Sequence, residues 1–174
     1  MTVNIGRACL TLALAVYGFI CAIRPSEWHL INGANLIIHE AGHLLFGWFG
    51  TFIGIAGGTI AQLMLPSACS AYFLRYESRF ASAATLWWLG QNLTNVSVYV
   101  KDARAMDLPL VSVGGGADTI HDWNFILGAL GLLGRDQFIG GAILGLGTLI
   151  MLAAVGGMGY FSMERSQPDD RSTC

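Results

Sequence analysis

The five residues His39-Glu40-Ala41-Gly42-His43 carry the strongest chemical signal in this chain. On a helix, histidines at i and i+4 project from one face, one turn apart. That spacing lets two imidazoles reach one tetrahedral zinc at about 2.0–2.1 Å. Glu40 follows the first histidine and can approach a zinc-bound water without being a ligand. Zinc lowers the pKa of that water to about 7, and the carboxylate takes its proton. Gly42 leaves room beside the ligands for a substrate or another helix. An HExxH pattern alone occurs by chance in many soluble proteins. Here it lies within an apolar run, where an ionisable group is expensive and by default functional. Across 30–73 and 80–100, Glu40 is the single acidic or basic residue well inside.

Catalytic zinc usually takes three protein ligands and keeps a fourth position open. A third histidine six residues after His43 is absent, because Phe49 stands there. Of the four histidines, His29 precedes the apolar run beside Trp28 and reads as interfacial. His121 is the favoured third ligand. It follows a glycine-rich stretch and precedes a short apolar segment, a placement that can bring a loop or half-helix in beside the HExxH helix. Asp122 is the alternative ligand, or the carboxylate that receives the second N–H of a ligating imidazole. The competing role for His121 is to cap the short helix. Asp102 and Asp107 are weaker candidates, equally readable as loop charges or as partners of Lys101 and Arg104. Asn32, Asn35, His39 and His43 form one stripe. Asn92, Asn95 and Tyr99 share a face of a later helix, with Gln91 one turn before Asn95, and Gln62 stands alone between them. Hydrogen bonding between helices accounts for most such amides. The sharper expectation is that Asn92 or Asn95 faces the metal cleft and binds a substrate carbonyl or oxyanion.

The elements that must hold these residues are membrane helices. Hydrophobic residues make up 54% of the 174 and charged residues 11%, with mean hydropathy +0.57. A soluble domain carries about 25% charged residues; a lipid-facing surface needs none. The net charge of -2 and the lack of a basic stripe exclude nucleic acid as a partner. Apolar runs predict spans at about 6–23, 30–49, 52–73, 80–100 and 139–161, with Pro66 a kink or stop in the third. The segment around 105–134 reads as re-entrant or interfacial, because 123–134 is too short to span alone. The fold class expected is therefore an all-α integral membrane protein, a single domain over 1–163 with five or six spans, followed by a polar tail over 164–174. The first run, preceded by Arg7, is too long for a signal-peptide core and reads as an uncleaved span. Five spans divide the Lys and Arg residues four against five, which leaves orientation open. Glycine pairs Gly54/Gly58 and Gly141/Gly145 have close-packing spacing. Cys9, Cys21, Cys69 and Cys174 form no metal or disulfide pattern.

At HEAGH within an apolar helix, the chain resembles intramembrane zinc metalloproteases of the site-2 protease class, and within it a small bacterial branch of membrane metallopeptidase-like proteins. The matching stretches are His39–His43, the Trp-Leu-Gly-Gln-Asn run Trp88–Asn92, the Asp-Ala-Arg run Asp102–Arg104, Leu108–Leu110 and His121–Trp123. The resemblance covers roughly residues 36–133. It implies zinc held by His39 and His43, Glu40 as general base, a bacterial inner membrane as location and a membrane-protein substrate. Site-2 proteases normally draw the third ligand from an Asn-Pro-Asp-Gly or Leu-Asp-Gly motif, which is missing here, so His121-Asp122 would replace it. The expected activity is hydrolysis of peptide bonds in or near the membrane. The alternatives are a zinc hydrolase acting on a lipid amide or ester, and a non-enzymatic metal-binding scaffold or transporter. The glycine-rich stretch at 113–117 is a candidate gate.

Overall fold

A computed structural model describes residues 2–108 and 120–164. Among these, six α-helices follow in order: α1 (Ile5–Ile23), α2 (Leu30–Phe46), α3 (Thr51–Arg75), α4 (Arg79–Lys101), α5 (Asp122–Ala129) and α6 (Asp136–Phe161). Single 3-10 turns, Gly47–Phe49 and Leu133–Arg135, lead into α3 and α6. The ends of the described chain meet in a two-residue antiparallel pairing of β1 (Thr2–Val3) with β2 (Met163–Glu164). The glycine-rich stretch at 113–117 and the tail beyond 164 lie outside the described residues.

Three helical stretches are long and apolar enough to cross a membrane: Ile5–Ile23, Thr51–Arg75 and Leu133–Phe161. They coincide with the first, third and last expected spans. Two expected spans fall short of that measure, each for its own reason. α2 has 17 residues, short of the roughly 20 that a span needs. α4 buries Gln91, Asn92, Thr94 and Ser97, so its sequence is too polar on average. Its packing explains this, because α4 lies against α6, α3 and α1. A helix enclosed by protein needs no continuous apolar coat. Apolar side chains instead coat the outside. Leu12, Val16, Phe19 and Ile23 on α1, and Phe138, Leu149 and Leu152 on α6, are all exposed. α2 shares that property through Leu30, Ile37 and Leu44, seven residues apart on one face.

Pro66 neither stops nor ends its helix: α3 runs unbroken through it to Arg75, and Pro66 is buried. The short apolar segment expected after residue 122 forms the eight-residue α5.

Of the two glycine pairs with packing spacing, Gly54 and Gly58 lie at close contacts, and Gly141 and Gly145 do not. Nothing lies within 4 Å of a Cβ built on Gly141 or Gly145. The α4–α6 crossing uses Gly90 and Gly147 reciprocally. A Cβ on Gly90 would sit 2.7 Å from the Gly147 carbonyl oxygen, and one on Gly147 would sit 2.6 Å from that of Gly90. α2 and α3 touch in the same way: a Cβ on Gly42 would collide with the Gly57 carbonyl, and one on Gly57 would lie 2.8 Å from that of Gly42.

Polar bonds fix the register of the bundle. Asn35 Nδ2 donates to Gln91 Oε1 at 2.7 Å, Gln91 Nε2 to Asn32 Oδ1 at 3.0 Å, and Trp88 Nε1 to Asn35 Oδ1 at 2.9 Å. This ladder ties α2 to α4. Beyond α4, Arg104 Nε donates to Asp136 Oδ2 at 3.0 Å, and the ion pair brings Nη2 to 3.0 Å from Oδ1. Asp136 is 1% exposed and opens α6, where the helix dipole also favours a negative charge.

The reciprocal crossing sets a test. Gly147→Val forces backbone apart at Gly90 and should destabilise the bundle by about 1–3 kcal/mol. Gly141→Val, at an open position, should leave thermal unfolding in detergent close to wild type. Equal melting temperatures for the two variants would show that the crossing is not close-packed.

Candidate metal centre

The two histidines of the HExxH helix meet the first residue of α5. His39 Nε2 lies 3.1 Å from His43 Nε2, and Asp122 Oδ2 lies 3.0 Å from the first and 3.2 Å from the second. His39, His43 and Asp122 form a group able to hold a metal ion. Their side chains are 11%, 27% and 8% exposed, respectively.

The outer imidazole nitrogens decide what faces inward. His43 Nδ1 is 2.9 Å from the Gly54 carbonyl oxygen, which can only accept, so Nδ1 carries the proton. His39 Nδ1 is 3.1 Å from Gln62 Oε1. The Gln62 amide is oriented by its Nε2 donating to Asn95 Oδ1 at 2.9 Å. In its neutral form each imidazole turns an Nε2 lone pair toward the other and toward the Asp122 carboxylate. Three lone-pair atoms within 3.2 Å repel one another. One shared proton relieves a single pair; a cation among them satisfies all three together. A tetrahedral zinc site with ligand bonds of about 2.0–2.1 Å has ligand atoms about 3.3 Å apart, so the side chains need open by only a few tenths of an ångström. Outward bonds of this type fix the tautomer and ring orientation of metal-binding histidines.

α3 makes the space. A Cβ built on Gly58 would sit 2.6 Å from His43 Nε2 and 2.7 Å from His39 Nε2. Gly58 thus admits the imidazoles, beyond the helix-packing role expected from its spacing with Gly54. Gly54 contributes its carbonyl to His43.

His121, the favoured third ligand, has no lone pair to offer. Its Nδ1 accepts the Asn124 backbone N–H at 3.2 Å, which caps α5. Its Nε2 therefore carries the proton and donates to Asp102 Oδ2 at 3.1 Å. Asp102 also accepts the backbone N–H groups of Asp107 and Leu108, so it anchors the loop after α4. Asp122, the alternative ligand, completes the group able to hold a metal ion, and His121 takes the capping role. His29 is remote from the group, with Nε2 donating to the Arg24 carbonyl at 2.9 Å.

A cavity of about 310 Å³ adjoins the centre. His39, Glu40, Gln62, Asn95 and Tyr99 line it, and its wall continues to the exposed Ser26 and Glu27 between α1 and α2. Glu40 is half-buried there and makes no hydrogen bond or ion pair with another described residue. Of the two expected substrate-binding amides, Asn95 faces this cavity. Asn92 is fully buried away from it, and its Nδ2 donates to the Trp88 carbonyl at 3.0 Å.

Two partners of the histidines, Gln62 and the Gly54 carbonyl, were not legible from sequence as site residues. Gln62 was visible as a lone amide in an apolar helix, but its partner was not. The Gly54 carbonyl is backbone, which every residue has, so no sequence signal could mark it. No family model, curated protein or solved structure was found to match the chain.

The ligand assignment yields a direct expectation. Purified protein supplemented with zinc should hold about one ion per chain by elemental analysis. His39→Ala, His43→Ala and Asp122→Ala should lose it, and His121→Ala should keep it. Gln62→Leu should weaken zinc binding by about 10–100-fold, as loss of an outer hydrogen bond does. Retention of zinc by Asp122→Ala with loss in His121→Ala would reverse the assignment.

Proposed function

We propose that this protein is a membrane-embedded, zinc-dependent hydrolase, with the peptide bond as the first choice of substrate. The observation that carries the reading is that a His39–His43–Asp122 group able to hold a metal ion reaches, through His39, a cavity that Glu40 also lines. Two nitrogens and one carboxylate oxygen suit zinc and leave a fourth position open. The same donor set suits iron(II). Glu40 separates the two, because hydrolysis needs a base beside the metal and oxygen activation does not.

A zinc ion bound here supplies a Lewis acid for a carbonyl and lowers the pKa of water to near neutrality. The remaining roles belong to the chain. His39 and His43 are held in one tautomer by Gln62 and the Gly54 carbonyl. Asp122, placed by the His121 cap, completes the set. Glu40 accepts the proton of the attacking water and returns it to the leaving group as the scissile bond breaks. Asn95 presents an amide along the cavity wall.

Lipid-facing side chains on α2 support a membrane location for the whole bundle, with α2 and α4 crossing beside the three more apolar helices. The likeness of the HEAGH helix to site-2 proteases supports peptide hydrolysis, and a bacterial inner membrane accords with it. A lipid amide or ester remains the second substrate class.

Glu40→Gln separates an enzyme from a metal-binding scaffold. The variant should keep its zinc and lose hydrolysis by about 10²–10⁴-fold, the usual contribution of a positioned base. Turnover would be followed in liposomes with a pool of membrane peptides and a pool of lipid amides and esters. Zinc-loaded wild type with no turnover on either pool, or full activity in Glu40→Gln, would overturn the reading.

A further inference from the structure

Hydrolysis of a carbonyl compound needs a third element besides a metal and a base: a donor aimed where negative charge develops on the carbonyl oxygen. The cavity wall offers three side-chain candidates. Thr59 has its hydroxyl oxygen enclosed and unpartnered among the described residues. Asn95 accepts from Gln62 through its carbonyl oxygen, which leaves its Nδ2 to donate. Tyr99 differs from both. Its ring stacks on His121, with centroids 4.4 Å apart and planes 21° from parallel. It also meets His39 edge-on at 6.3 Å. His121 is itself held at both ring nitrogens, by Asn124 and Asp102. The phenol is thus clamped between a fixed imidazole and a metal-binding one. It lines the cavity with Glu40, and its hydroxyl has no hydrogen-bond partner among the described residues. A phenol hydroxyl is neutral near pH 7 and donates one hydrogen bond.

We propose that Tyr99 is a catalytic residue whose phenol donates a hydrogen bond to the substrate carbonyl oxygen as water adds to the carbonyl carbon. The inference rests on the hydrolase reading above. The water oxygen bonds to carbon, Glu40 takes the water proton, and the carbonyl oxygen gains the negative charge. Tyr99 keeps its proton throughout and stabilises that charge. When the carbonyl reforms, the C–N or C–O bond breaks and the leaving group receives the proton from Glu40.

The variant Tyr99→Phe preserves the stack on His121 and removes one hydroxyl. Its zinc content and melting temperature should match wild type. Methylphosphonate, a small tetrahedral anion, serves as the probe, with binding to the zinc-loaded full chain followed by phosphorus NMR. Loss of a hydrogen bond to a charged group predicts binding about 10-fold weaker or more in Tyr99→Phe. Equal affinity in the two proteins, or no binding to wild type, would overturn the proposal. On a turned-over peptide or lipid, kcat should fall about 10²-fold with KM little changed; an unchanged kcat also overturns it. If the phosphonate difference holds while wild type hydrolyses nothing, the hydrolase reading fails and Tyr99 stands as a donor to bound anions.

Discussion

Two imidazole nitrogens and a carboxylate oxygen, all within 3.2 Å of one another, cannot rest together unless positive charge lies among them. Asp122 is almost fully buried, and a buried carboxylate without a compensating charge costs several kcal/mol. The surroundings sharpen the conflict, since the Gly54 carbonyl and Gln62 hold the outer imidazole nitrogens and turn the inner ones toward the carboxylate. Helices α2, α3 and α5 converge on this arrangement. It makes sense of features that are otherwise unfavourable: a polar stripe in an apolar helix, a glycine facing two histidines, and an aspartate turned inward from a short helix.

The bundle supports the group in layers. Gly42 and Gly57 bring α2 and α3 into backbone contact, which sets Gly58 and Gly54 against the imidazoles. The ladder of Asn32, Asn35, Gln91 and Trp88 fixes how α2 sits along α4, and Gln62 with Asn95 continues that polar seam to His39. α5 arrives from the other side. His121 caps it and pins it to Asp102 at the end of α4, so the neighbouring Asp122 is carried to the histidines. The two adjacent residues of the His121-Asp122 pair therefore divide the work: the first fixes the backbone and the second supplies the charge.

Membrane character is distributed unevenly for a physical reason. Helices that meet the outside, such as α1 and α6, are apolar apart from a few polar residues, with Arg7 and Asp136 in their first turns. α4 is surrounded by protein and carries amides and hydroxyls that would be costly in lipid. α2 is intermediate, with one face outward through Leu30, Ile37 and Leu44 and the opposite face on the metal group. Its polarity is the consequence of holding the site.

The sequence by itself determined the helical class and the placing of His39 and His43 on one helix face with Glu40 next to the first, because these follow from local composition and a 3.6-residue period. For a third ligand it offered His121 first, Asp122 as the alternative, and Asp102 and Asp107 as weaker candidates. Only the tertiary structure groups Asp122, and not His121, with His39 and His43. That choice depends on which nitrogen of His121 is occupied by Asn124 and Asp102, bonds made across 3 and 19 residues. The same holds for the packing glycines. Small residues four apart are visible at Gly141 and Gly145, yet contact depends on which face of α6 meets α4, and that face carries Gly140 and Gly147. Asn92 and Asn95 share a helix face by spacing, but only the neighbouring helices determine that one reaches the cavity and the other is sealed within the bundle.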